Sequence, residues 1–150
     1  MEGITDRPFR RMIRSLGGCG LTVTEFISSD QISKKTRRAW KMAEFDPDEH
    51  PVSIQIYGRH PHKMAEAAKI CQDLGADFVD LNLGCPSKKV TGGLSGSALM
   101  REPCLADDIF RAVKAAISIP MTVKMRLGWD NASLNAAEFG RIAEDAGLSM

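Results

Sequence analysis

Residues 78–86 read FVDLNLGCP, and their alternation decides how the chain is organised. In an extended strand successive side chains point to opposite faces. Val79, Leu81 and Leu83 therefore share one face, while Phe78, Asp80 and Asn82 share the other. The pattern recurs on both sides of this stretch. In VSIQIY (52–57), Val52, Ile54 and Ile56 oppose Ser53, Gln55 and Tyr57; in MTVKMR (121–126), Met121, Val123 and Met125 oppose Thr122, Lys124 and Arg126. One face is aliphatic, and the other turns polar toward the C-terminal end of each strand. A sheet covered by helices on both faces has uniformly apolar strands. A sheet closed into a barrel needs helices only outside and carries chemistry at its C-terminal mouth. The alternation favours the barrel over an open sheet with one solvated face.

Helical periods separate the strands. In TDRPFRRMIRSLGG (5–18), Phe9, Met12, Ile13 and Leu16 form one apolar stripe. Asp6 suits the N-cap, Pro8 the first turn, and Gly17–Gly18 the stop. LTVTEF (21–26) reads as a strand. Pro61 opens a helix with Met64, Ala67, Ala68, Cys71 and Leu74 on one face, closed by Gly75. A helix from about Ala106 to Ile117 aligns Ile109, Val113 and Ile117, and a last one gathers Phe139, Ile142, Ala143 and Ala146 before Gly147. Strands alternating with helices predict parallel βα units.

With 150 residues, 43% hydrophobic and 26% charged, the chain suits one globular domain. No apolar run approaches the roughly 20 residues of a membrane helix, and no basic-then-apolar leader opens it. A cytoplasmic protein without membrane contact is expected. Cys19, Cys71, Cys85 and Cys104 form no CxxC pair, so neither a zinc ribbon nor a disulfide framework is expected. His50, His60 and His62 lie close in sequence, but Pro61 separates two of them, and no metal site is expected. Residues 1–41 carry nine Lys or Arg against four Asp or Glu, so the front of the chain is basic. Arg7, Arg10, Arg11 and Arg14 form a stripe opposite the apolar face of the first helix. KKTRRAWK (34–41) adds Lys34, Lys35, Arg37, Arg38 and Lys41 around Trp40. Both groups suit phosphate contact; both also suit a plain solvated face.

Gln55, Asn82 and Lys124 converge at the mouth of such a barrel, with Cys85 just above Asn82. Taken singly, each has a structural reading. The amides can serve the fold, the lysine can pair with Asp80, and a cysteine can be a small buried hydrophobe. Their convergence from three strands at one end is harder to assign to structure alone. Cys85 also differs from the other thiols: Cys71 lies on an apolar helix face, and Cys19 and Cys104 read as structural. Gly84 permits a turn and Pro86 fixes its own φ, so the Cys85 side chain is aimed. The loop SKKVTGGLSGSALM (87–100) carries three glycines and two lysines and lacks the GxxxxGK[ST] pattern. It reads either as a lid over a ligand or as a flexible surface loop.

The segments MEGITDRPFR, VSIQIYG, GADFVDLNLGCPSKKV, GSALM and TVKMRLGWD, in this order, resemble the tRNA-dihydrouridine synthases. The resemblance implies a TIM (β/α)₈ barrel holding FMN at its mouth and reducing uracil C5=C6 in tRNA with NADPH. It places Met1 and Gly3 beside the flavin, Gln55 and Lys124 on its ring, Asn82 between flavin and uracil, and Cys85 as proton donor. The chemistry is consistent, because an alkene conjugated to a carbonyl takes hydride on one carbon and a proton on the other. An ordinary thiol is mostly protonated at neutral pH and can act as the acid. A lysine beside a reduced flavin stabilises its negative charge.

A whole barrel takes roughly 250 residues. Residues 1–150 are therefore expected to hold one partial barrel domain, from the end of strand 1 through helix 5. The remaining strands, the glycine-rich phosphate loops and the C-terminal helical domain of the resembled family would be absent. The full-length enzyme is expected to be monomeric. The piece alone is expected to self-associate, to bind FMN poorly and to lack activity. Two further readings stand beside tRNA reduction: a flavin barrel acting on a free pyrimidine, of the dihydroorotate or dihydropyrimidine dehydrogenase kind, and an inert fragment that still binds RNA.

Overall fold

The computed structural model describes residues 3–149. Its strands are β1 (Thr22–Val23), β2 (Ile27–Ser28), β3 (Val52–Tyr57), β4 (Phe78–Leu83) and β5 (Met121–Met125). All pair in parallel in the order β1-β3-β4-β5, with β2 continuing along β3 beyond β1. Helix α1 (Arg7–Ser15) precedes the sheet; α2 (Ser29–Ser33) and α3 (Arg37–Ala43) lie between β2 and β3; and α4 (Pro61–Asp73) joins β3 to β4. The β4–β5 connection holds α5 (Lys88–Thr91), a 3₁₀ segment (Gly96–Arg101) and α6 (Pro103–Ala116), and α7 (Ala136–Asp145) follows β5. The result is the expected α/β architecture, a parallel half-barrel. No helix of the described residues is long and apolar enough to cross a membrane.

Strands β3, β4 and β5 begin and end where the alternation predicts. Their aliphatic faces pack under the helices: Ile54, Ile56, Val79, Leu81 and Leu83 are buried with Met64 and Cys71 of α4 and Ile109 and Phe110 of α6. Fully burying side chains of this size stabilises the fold by about 1.5–3 kcal/mol each. The same burial pushes the Cys71 thiol up to about 12, which makes it inert.

Four expectations need correction. The strand at 21–26 is interrupted. Thr22 and Val23 pair with Val52 and Ser53, and pairing resumes with Ile27 opposite Ile56, so four steps on one strand face three on the other. The Thr24 hydroxyl accepts the Gln55 N–H at 3.1 Å, where a strand carbonyl would have done so, and the extra residue bulges out. Helix α6 starts at Pro103, three residues before the predicted start, because proline at the first helical position lacks only an N–H that would have no partner there. Cys104 therefore lies on a helix and is exposed, not structural. The loop at 87–100 is no open lid, since its second half, Ser95–Met100, is buried.

The fourth correction concerns α1. Asp6 caps it by accepting the Phe9 N–H at 3.0 Å, as predicted. Its apolar stripe nevertheless faces outward, with Met12 51% and Leu16 77% exposed, while Arg10 is only 3% exposed. The Arg10 guanidinium meets the buried Glu49 carboxylate at 2.5 Å and also donates to the carbonyls of Thr5 and Glu44. Glu49 accepts in addition from the Thr22 hydroxyl and the Asp46 N–H. A buried ion pair is tolerated when its remaining donors and acceptors are filled in this way.

These features leave apolar area and strand edges open. Ile4, Met12, Leu16, Leu127 and Leu134 are exposed, and among the described residues β5 has a partner on one side only. Unpaired edges and apolar patches template association. The isolated 150-residue chain is expected to elute above its monomer mass in size-exclusion chromatography with light scattering. A monodisperse monomer at tens of micromolar would show that these surfaces are inert.

Candidate functional site

At the C-terminal end of β3, β4 and β5 lies a cavity of about 720 Å³. Strand register builds its floor. Gln55 stands opposite Asp80 and Asp80 opposite Thr122, and one step toward the mouth Asn82 stands opposite Lys124. These five side chains and Cys85 line the cavity. Leu21, Val23 and Phe26 supply apolar lining. The sequence reading brought Gln55, Asn82, Lys124 and Cys85 to one mouth, and the geometry does the same.

The polar side chains form one connected chain of hydrogen bonds. Thr122 Oγ1 donates to Asp80 Oδ1 at 2.5 Å, Gln55 Nε2 donates to Asp80 Oδ2 at 2.5 Å, and Asn82 Nδ2 donates to Gln55 Oε1 at 2.9 Å. Asn82 Oδ1 accepts the backbone N–H groups of Gly84 and Cys85 at 3.1 and 2.9 Å. Burial raises the Asp80 pKa above the ordinary carboxylate value; the hydrogen bonds from Thr122 and Gln55 and the charge of Lys124 pull against it. The pairing of Lys124 with Asp80 weighed from sequence does not form. The lysine is exposed, makes no ion pair or hydrogen bond among the described residues, and acts on Asp80 through its charge alone. Ser53 Oγ is buried against the same cavity with no hydrogen-bond partner among the described residues.

Cys85 is partly exposed and its turn is held from several sides. Its carbonyl accepts the Ser97 N–H at 3.0 Å, and the Gly84 carbonyl accepts Arg126 Nε at 2.7 Å. Gly96 lies directly against it: φ is +60°, and an added Cβ would come within 2.7 Å of the Cys85 carbonyl oxygen. Only glycine fits that approach. Of the three glycines in the 87–100 loop, Gly96 therefore packs against the Cys85 turn. On the same end of the sheet, Arg101 stacks on Trp129, 4.4 Å from the ring centre, and joins the 3₁₀ segment to the loop after β5.

The remaining sequence candidates lie elsewhere. Met1 is outside the described residues. Gly3 is exposed and its N–H is held by the Glu25 carboxylate, away from the cavity, although Thr5 reaches the lining. Lys34, Lys35, Arg37 and Arg38 are exposed outside the cavity; Arg38 shares a small cleft with Lys89 and Tyr57. The arginine stripe of α1 is largely taken up by the fold: Arg7 pairs with Asp46, Arg10 with Glu49, and Arg14 donates to the Pro51 carbonyl. Sequence reasoning missed the linking parts of Asp80 and Thr122 and the grip of Arg126 on Gly84. The signal for the first two was their place in one register row.

Residues 1–150 match the family model described as dihydrouridine synthase. A probable tRNA-dihydrouridine synthase of Rhodobacter capsulatus is 51% identical over 152 residues, covering 100% of this chain and 46% of the relative. One from Rhizobium leguminosarum bv. phaseoli is 48% identical, covering 100% and 47%. The tRNA-dihydrouridine synthase B of Pseudomonas syringae pv. tomato is 42% identical, covering 99% and 44%. The chain spans about half the length of the curated relatives it matches.

Proposed function

This chain belongs to the dihydrouridine synthase family, and from that premise we propose that the full-length protein reduces uridine to 5,6-dihydrouridine in tRNA, with FMN at the mouth of the half-barrel and NADPH as reductant. The observation that carries the reading is Cys85, a partly exposed thiol on a supported turn beside Asn82 and Lys124 at one cavity. The residues fit a flavin. Leu21, Val23 and Phe26 suit a planar ring, and among the described residues the Lys124 ammonium has no ion-pair partner and the buried Ser53 hydroxyl no hydrogen-bond partner. When bound, FMN supplies hydride to uracil C6. Gln55 and Lys124 would hold its ring, with the lysine charge favouring the reduced, anionic form.

Asn82 would orient the uracil above the ring. The Cys85 thiol gives its proton to C5 and regains one from water at the open mouth, so one hydride and one proton saturate the double bond. Lys34, Lys35, Arg37 and Arg38 would meet phosphates of the tRNA.

The test uses purified full-length protein, NADPH and two substrates. Dihydrouridine is expected to form in tRNA isolated without this modification, with free uracil left unreduced. Reduction of free uracil at comparable efficiency would replace this reading with that of a pyrimidine dehydrogenase. Tight tRNA binding with neither flavin absorbance nor product would replace it with that of an RNA-binding protein.

A further inference from the structure

Gln55 lines the cavity, and its amide has two orientations of nearly identical shape. Packing cannot choose between them; only hydrogen-bond partners can. Two neighbours impose the choice. The Asn82 carbonyl oxygen is engaged by two backbone N–H groups, so Asn82 can offer only its N–H₂ to Gln55. On the other side the Asp80 carboxylate can only accept from Gln55. Asp80 is itself fixed by Thr122 in the adjacent strand. The direction of every bond in the row is thus set between the Cys85 turn at one end and Asp80 at the other.

We propose that Asp80 is a positioning residue that sets the amide orientation of Gln55 and, through Gln55, the hold of Asn82 on the Cys85 turn. This rests on the flavin reading above for its meaning, since the orientation decides whether Gln55 presents a donor or an acceptor to the ring. It does not rest on that reading for its test. Asp80 touches neither of the groups proposed to react; it reaches Cys85 through the amides, while its charge also faces Lys124.

In the full-length protein, two readouts separate this role from a merely structural one: the rate at which iodoacetamide alkylates Cys85, and FMN affinity by quenching of flavin fluorescence. Asp80→Ala is expected to change both by about fivefold or more, the size of coupling within one hydrogen-bond network. Asp80→Asn is expected to keep the alkylation rate within about twofold of the parent, because its amide oxygen can accept from Gln55 while its N–H₂ donates to the reversible Thr122 hydroxyl. In a Gln55→Ala background, Asp80→Ala is expected to add nothing beyond about twofold to the alkylation rate.

Additive effects in that cycle, or an asparagine variant as impaired as the alanine one, would overturn the proposal. If the parent binds no FMN, the flavin reading fails and the alkylation cycle alone decides on Asp80. If Asp80→Ala does not fold, side-chain amide exchange in the unmutated protein decides. The Gln55 amide protons are expected to exchange much more slowly than those of an exposed glutamine, and equal rates would overturn the assignment.

Discussion

Replacing Cys85 by alanine in the full-length protein is expected to lower dihydrouridine formation by about 10²–10⁴-fold, the usual contribution of a positioned general acid. NADPH should still bleach the flavin at close to the parent rate. The split follows from the order of events in the proposed reaction: the thiol would be needed only when C5 takes its proton, after the flavin has been reduced. Asn82 and the main chain hold the Cys85 turn without help from the sulfur, so the alanine variant keeps the geometry and loses only the proton. Cys71→Ala provides the control, because that thiol is buried in the core and pushed up to about 12. It should cost stability and leave the chemical step unchanged. A Cys85→Ala protein that modified tRNA at the parent rate would require another proton donor at the mouth.

Arg10→Met is expected to destabilise the protein by about 3–5 kcal/mol, because Glu49 is left as a buried charge without its counter-ion. In a thermal melt that is a fall on the order of 10 °C. Replacing Glu49 by leucine in the same protein should restore much of the loss, since an apolar pair avoids the desolvation of both ions. The two changes together therefore test the pair more sharply than either alone. A loss below about 1 kcal/mol for Arg10→Met would place the pair among exposed ones.

How much of this was legible follows from which forces are local. The ends of β3, β4 and β5 could be read because alternation and flanking Gly or Pro act within a few residues. The break between β1 and β2 could not, because it depends on the Thr24 hydroxyl meeting a strand 31 residues away. The outward turn of α1 was hidden for a similar reason. Amphipathic reading sends apolar side chains inward, and here a carboxylate 39 residues further on claims Arg10 instead. A trace was present in the sequence, since the arginine-rich helix is answered by Glu44, Asp46, Asp48 and Glu49. At the site, strand period alone brought Gln55, Asn82 and Lys124 together with Cys85. The link through Asp80 and Thr122 required knowing which residues stand opposite one another, and period does not give register.

The backbone of the turn carrying Cys85 is clasped by the side chains of Asn82 and Arg126 and by the Ser97 N–H, with Gly96 pressed against it. These contacts fix where the thiol sits relative to the cavity. Under the proposed function the approach would fall to the uridine, which would have to leave its stack to reach this point, at a cost of a few kcal/mol that falls where stacking is already weak. Under the proposed function, which uridines are reached would then depend on the pliancy of the RNA as well as on contacts with the protein. If Cys85 is the acid, a turn held in this way would favour bends, bulges and loop crossings in the RNA presented to it.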